Sequence, residues 1–130
     1  MTNSKASYVD GFVFKVPKKN REMYEEMAKY GKDLWMKYGA IDYKECLGDD
    51  LQTKATNGMK QLSFIELTGA KPDEDVWFSF ITFKSKQHRD EVNAKVMNDP
   101  SMTDPKMKDM PMPFDPNKMA YGGFSVIVSN

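Results

Sequence analysis

The spacing of hydrophobic and polar residues changes period several times along the chain, and each change marks an element. Residues 8–16 (YVDGFVFKV) are rich in aromatic and β-branched side chains and run into Pro17, which predicts a first strand. Tyr8, Phe12, Phe14 and Val16 share one side of it with Asp10, while Val9, Gly11, Val13 and Lys15 share the other, so neither face is cleanly polar. Over residues 18–38 the period becomes helical, with Tyr24, Met27, Ala28, Gly31, Leu34, Trp35 and Tyr38 forming one stripe. Pro17 suits the first turn or the residue before it, Asn20 is the candidate N-cap, and Gly39 the left-handed terminator. Residues 40–47 alternate Ile41, Tyr43, Glu45 and Leu47 against Asp42, Lys44 and Cys46, which predicts a second, less buried strand ended at Gly48. In residues 51–75 two readings stay open for Leu62, Phe64, Ile65 and Leu67, a short strand or one helical turn, followed by a surface loop at Pro72, Asp73 and Glu74.

Residues 76–83 (VWFSFITF) are nearly continuously apolar, with Val76, Phe78 and Phe80 on one face and Trp77, Ile81 and Phe83 on the other. Such a strand must be covered on both sides. Ser85 caps a following helix in which His88, Val92 and Val96 form an i, i+4 row and which Pro100 stops. Residues 100–119 hold five of the seven prolines, so no regular element persists there and a long connection is expected. Residues 119–128 (MAYGGFSVIV) read as a last strand, with Gly122 and Gly123 marking a bulge or a close backbone approach. The order strand, helix, strand, insert, strand, helix, loop, strand predicts one ferredoxin-like α+β domain over residues 1–130. It is a split βαβ with an antiparallel sheet and two main helices on one face. A single helical layer leaves the other face of the apolar strands bare, and soluble monomers rarely expose so large a patch. A second copy, packed sheet to sheet about a two-fold axis, is the simplest cover, so a homodimer is expected.

The 130 residues suit one domain, and 40% hydrophobic with 29% charged residues suits a soluble globular one. Nineteen basic and nineteen acidic residues cancel, so the chain lacks the positive excess that nucleic-acid binding uses. No window is apolar enough for a membrane helix, and residues 1–7, expected to be flexible, have no signal-peptide character. The single cysteine, Cys46, excludes an intrachain disulfide and multi-cysteine zinc patterns, which points to a reducing cytoplasm. Nucleotide, dinucleotide and zinc-peptidase motifs are absent, so no cofactor and no metal is expected.

Candidate chemistry is sparse. His88, the only histidine, is the candidate general base, and as a ligand contact it is joined by Arg89, Asn93, Asp115 and Tyr121. Arg89 and Asn93 lie four apart on one helical face, suited to a ligand carboxylate or to bracing the following loop, whereas His88 and Asp90 point apart. Asp10, a carboxylate on an apolar face, needs a partner or solvent, while Asp42 and Glu45 face opposite sides and form no acid–base pair. Cys46 has no partner that would activate a thiolate. Met107, Met110 and Met112 have the thioethers of a Cu(I) site, though methionine is more often adaptable packing. Phe114 flanks the same loop, and Trp35 and Trp77 belong with the core.

The blocks YVDGFVFKVPKKN, HRDEVNAKVMNDPSM and MPFDPNKMAYGGF resemble the YbaA-like family, domain of unknown function 1428, over nearly the whole chain. The resemblance implies a dimeric α+β barrel of ferredoxin-like halves, similar to the superfamily that holds antibiotic-biosynthesis-type monooxygenases and many small stress or ligand-binding proteins. It implies no settled activity. The expected function is binding of a small apolar or aromatic molecule between sheet and helices. The alternatives are a cofactor-independent monooxygenase or isomerase with His88 as base, and a structural or RNA-associated protein.

Overall fold

The computed structural model describes residues 6–130, apart from the side chains of Met107 and Lys108. The expectation for the N-terminus falls, for residues 1–5, outside the described part. Four strands, β1 (Tyr8–Pro17), β2 (Asp42–Leu47), β3 (Glu74–Phe83) and β4 (Ala120–Ser125), form one sheet in the order β2-β3-β1-β4. Every neighbouring pair is antiparallel. The two long strands with apolar residues on both faces are therefore the central ones, and the shorter, more polar β2 and β4 take the edges.

Helix α1 (Arg21–Lys37) follows β1, and α3 (Lys86–Met97) follows β3. Asn20 holds the N-cap position of α1, as expected, but makes no side-chain capping hydrogen bond: it ends a 3-10 turn, Lys18–Asn20, and its side chain donates to the Pro113 carbonyl at 2.9 Å. Gly39 does take a positive φ of 110°, which ends the helix where expected. Ser85 caps α3 by accepting from the His88 N–H. Strand β3 begins two residues before the apolar run, at Glu74, because Asp75 is buried against a bidentate Arg21 at 2.8 Å.

Of the two readings left open for the insert, the helical turn is the one present, as α2 (Phe64–Thr68), closed by a Ser63–Glu66 capping box and by Gly69. Three further short turns interrupt the proline-rich loop: Pro100–Thr103, α4 (Pro105–Lys108) and Pro116–Lys118. Each opens on an Asp-Pro pair whose carboxylate, from Asp99, Asp104 or Asp115, accepts a backbone N–H two residues on. Strand β4 stops at Ser125 rather than running to Val128: one more hydrogen bond joins the Val126 N–H to the Ser7 carbonyl at 2.9 Å, and Ile127 and Val128 beyond it are exposed. Gly122 and Gly123 pair in regular register without a bulge, and the Tyr8 ring fills the place of a Gly123 side chain.

Two buried clusters line the helix-facing row of the sheet. One joins Leu34, Ala40, Ile81, Phe83, Val92 and Val96; the other joins Phe14, Val16, Tyr24, Ala28 and Trp77. Both α1 and α3 bury side chains there, while Phe78 on the opposite row of β3 is 47% exposed. No helix among the described residues is long and apolar enough to cross a membrane.

Candidate functional site

Between the two core clusters lies a cavity of about 580 Å³. Its floor is the inward row of the sheet, including Phe12, Ser79 and Ile81, and its roof is the inner face of α1, including Tyr24, Met27, Ala28, Gly31 and Trp35. Small residues facing one another, Ser79 below and Ala28 and Gly31 above, leave volume that larger side chains would fill. Phe114 and Met119, brought in by the loop before β4, close one side, and Asn93 and Met97 of α3 another.

Polar groups converge at two places on the wall. At the first, Asp10 projects from β1 and is 1% exposed. Arg89 reaches down from α3 to its carboxylate at 2.7 Å and donates to the Tyr121 hydroxyl at 3.2 Å, and Tyr121 in turn donates to Asp10 at 3.3 Å. Asn93 adds a further side-chain hydrogen bond to Asp10 and accepts the Trp35 indole N–H at 3.0 Å. Asp90 holds the Arg89 Nε at 2.7 Å, and the guanidinium lies 5.0 Å from the centre of the Tyr8 ring. Burial raises the Asp10 carboxyl above its ordinary value, against the opposing pull of Arg89. Burial alone would lower Arg89, but the Asp90 hydrogen bond and the Asp10 charge more than reverse it.

At the second place Glu45 of β2 accepts two phenols, Tyr24 from α1 and Tyr43 from its own strand, each at 2.7 Å. Burial first, and the Glu45 charge second, push both tyrosine hydroxyls well above their usual range, so they remain proton donors. Tyr43 can come this close to α1 because a Cβ on Gly31 would lie only 3.0 Å from its hydroxyl.

Of the candidates read from the sequence, Arg89, Asn93 and Tyr121 are gathered around Asp10, so the carboxylate held by the arginine and asparagine is the chain's own. His88 is not on the cavity wall; its Nδ1 accepts the Lys84 backbone N–H at 3.0 Å and its ring packs edge-on to Phe83. Asp115 caps the Pro116–Lys118 turn. Cys46 is exposed on the other side of the sheet. Trp35 packs against the Leu34, Ile81 and Phe83 cluster, as expected, and also lines the cavity. Met110 and Met112 line a smaller hollow of about 250 Å³ with Met23 and Met27, while the Met107 side chain lies outside the described part. Among the described residues no group of three or more His, Cys, Asp or Glu side chains is arranged to hold a metal. The sequence reading missed Glu45, Tyr24, Tyr43 and Ser79. The i, i+2 spacing of Tyr43 and Glu45 was the available signal, since it sets a phenol and a carboxylate on one strand face.

A family model described as a protein of unknown function (DUF1428) matches residues 7–116. That span includes Asp10, Glu45, Ser79, Arg89 and Asn93, with Tyr121 beyond it. The uncharacterized protein YbaA of Escherichia coli strain K12 is 39% identical over 121 residues, covering 93% of this chain and 97% of the relative. The YbaA proteins of Escherichia coli O157:H7 and Shigella flexneri match to the same extent.

Proposed function

The chain belongs to the family of proteins of unknown function DUF1428, and from that premise we propose that it binds a small apolar or aromatic molecule and works as a homodimer. One observation carries the binding reading: the cavity of about 580 Å³ is walled chiefly by aromatic and aliphatic side chains, with few polar groups, as ligand sites commonly are.

The strand order β2-β3-β1-β4, with β1 and β2 flanking an antiparallel β3, supports the ferredoxin-like split βαβ reading. The sheet face away from the cavity supports the dimer. Phe78 and Phe124 are 47% and 62% exposed there, with Val9, Gly11 and Val13 of β1 between them. Packing two such faces together about a two-fold axis removes that surface from water and leaves each cavity on the outer side, as in a dimeric α+β barrel. An exposed free thiol at Cys46 suits a reducing, cytoplasmic setting. An oxygenase or isomerase using His88 as base gains nothing from this geometry, because the histidine is absent from the cavity wall. The balanced charge likewise gives an RNA-associated role no support.

Native mass spectrometry of gently purified protein tests both halves of the proposal. The expected spectrum is a dimer with added mass that survives buffer exchange and vanishes on denaturation. A monomer overturns the sheet pairing, and a bare dimer that takes up none of the aromatic probes described next overturns the cavity reading.

A further inference from the structure

We propose that the ligand carries an ammonium group, which docks on the Glu45 carboxylate and the Ser79 hydroxyl while its apolar body fills the aromatic part of the cavity. This rests on the cavity being a ligand site. Two carboxylates face the cavity, and they are not equivalent. The Asp10 charge is matched by Arg89 at 2.7 Å. Glu45 has only the two neutral phenols of Tyr24 and Tyr43, and among the described residues no lysine, arginine or histidine forms an ion pair with it. Glu45 is only partly buried, on the edge strand, and meets neutral donors alone, so the wall presents one carboxylate with no cation of the chain's own beside it, which a cationic ligand can match. Each Glu45 oxygen receives one phenol and keeps a further lone pair to accept an N–H.

Ser79 supplies an independent observation. It stands directly opposite Glu45 in the β2–β3 register, it is 5% exposed, and it lines the cavity. Its hydroxyl has no hydrogen-bond partner among the described residues. Directly paired strand residues have Cβ atoms about 5 Å apart, within the span of one ammonium donating to both. Tyr24 and Tyr43 are bonded to Glu45, Phe12 pairs with Ser79 across β1 and β3, and the Trp35 ring lies 6.4 Å from that of Tyr43, so aromatic rings that suit a cation as well as an apolar body adjoin the same place. An anionic ligand finds the reverse: repulsion from Glu45, and an Arg89 already committed to Asp10 and Asp90.

Calorimetric titration at neutral pH with naphthylmethylamine, naphthylmethanol and naphthoate separates the possibilities, since the three share a ring system and differ in charge. The amine is expected to bind about tenfold or more tighter than the alcohol, the magnitude of a charge-assisted hydrogen bond, with naphthoate weakest. In a Glu45→Gln variant that still folds by circular dichroism, the amine loses its advantage over the alcohol. An alcohol or naphthoate that binds as tightly as the amine overturns the ammonium inference and leaves the cavity standing. Retention of the advantage in Glu45→Gln overturns the docking on Glu45, and no binding by any of the three overturns the cavity reading and this inference together. The comparison of the three probes on the unaltered protein stands even where the variant fails to fold.

Discussion

Burying Asp10 removes a carboxylate from water, and its one charged partner is the Arg89 guanidinium, helped by the Tyr121 hydroxyl. Removing one member of a buried ion pair leaves the other uncompensated, which is far costlier than losing a surface pair. Arg89→Gln is therefore expected to lower stability by about 3 kcal/mol at neutral pH, measured by urea unfolding. The pH dependence has a definite sign. The native Asp10 carboxyl is raised, and losing Arg89 raises it further, so the native state holds a proton that the unfolded chain releases near the ordinary value of 3.8. The variant's deficit should be smallest below that pH, where both states are protonated, and should grow as pH rises through the raised native value. A deficit independent of pH would show that Arg89 acts through packing alone.

Among the elements, α1 does two jobs with one stripe. Leu34 is buried in one core cluster, Met27, Gly31 and Trp35 of the same stripe roof the cavity, and Tyr24 and Ala28 do both. Gly31 is the telling position, because glycine inside a helix costs up to about 1 kcal/mol relative to alanine. Its missing side chain is where the Tyr43 hydroxyl approaches on the way to Glu45. Gly31→Ala is expected to change stability by less than about 1 kcal/mol, since better helix propensity offsets a displaced phenol. The same substitution should weaken binding of the amine probe severalfold by calorimetry, because the Tyr43 hydroxyl must shift from its 2.7 Å contact.

For the whole molecule, one sheet has two occupations: one face holds the cavity, and the other exposes aromatic residues. Phe78→Asp places a charge in the middle of the exposed face without touching the cavity wall. On a monomer such a surface change is nearly neutral, usually within about 0.5 kcal/mol. In a sheet-to-sheet dimer it buries an unpaired charge from each copy in the interface, so sedimentation should report a monomer that still binds the amine probe. A variant sedimenting like the unaltered protein would place any self-association elsewhere.

Most of the elements were legible in the sequence because each depends on neighbours a few residues away: the stripe of α1, the apolar run of β3, the Ser85 cap and the proline breaks of the long loop. The insert was only half legible, since five residues of helix at Phe64–Thr68 are too short for a period to declare itself. The Arg89, Asn93 and Tyr121 cluster was legible as residues worth watching, but not as partners, because Asp10 and Tyr121 lie 111 residues apart. Glu45 was legible only in part: the i, i+2 spacing with Tyr43 was there to read, but its other phenol comes from a helix turn 21 residues upstream. Local periodicity and turn chemistry, set by covalent neighbours, thus determined where the strands and helices lie. Which small residues face each other to leave a cavity, and which of two carboxylates meets a cation, depend on contacts between distant segments, and only the packing of α1 and α3 on the sheet decided them.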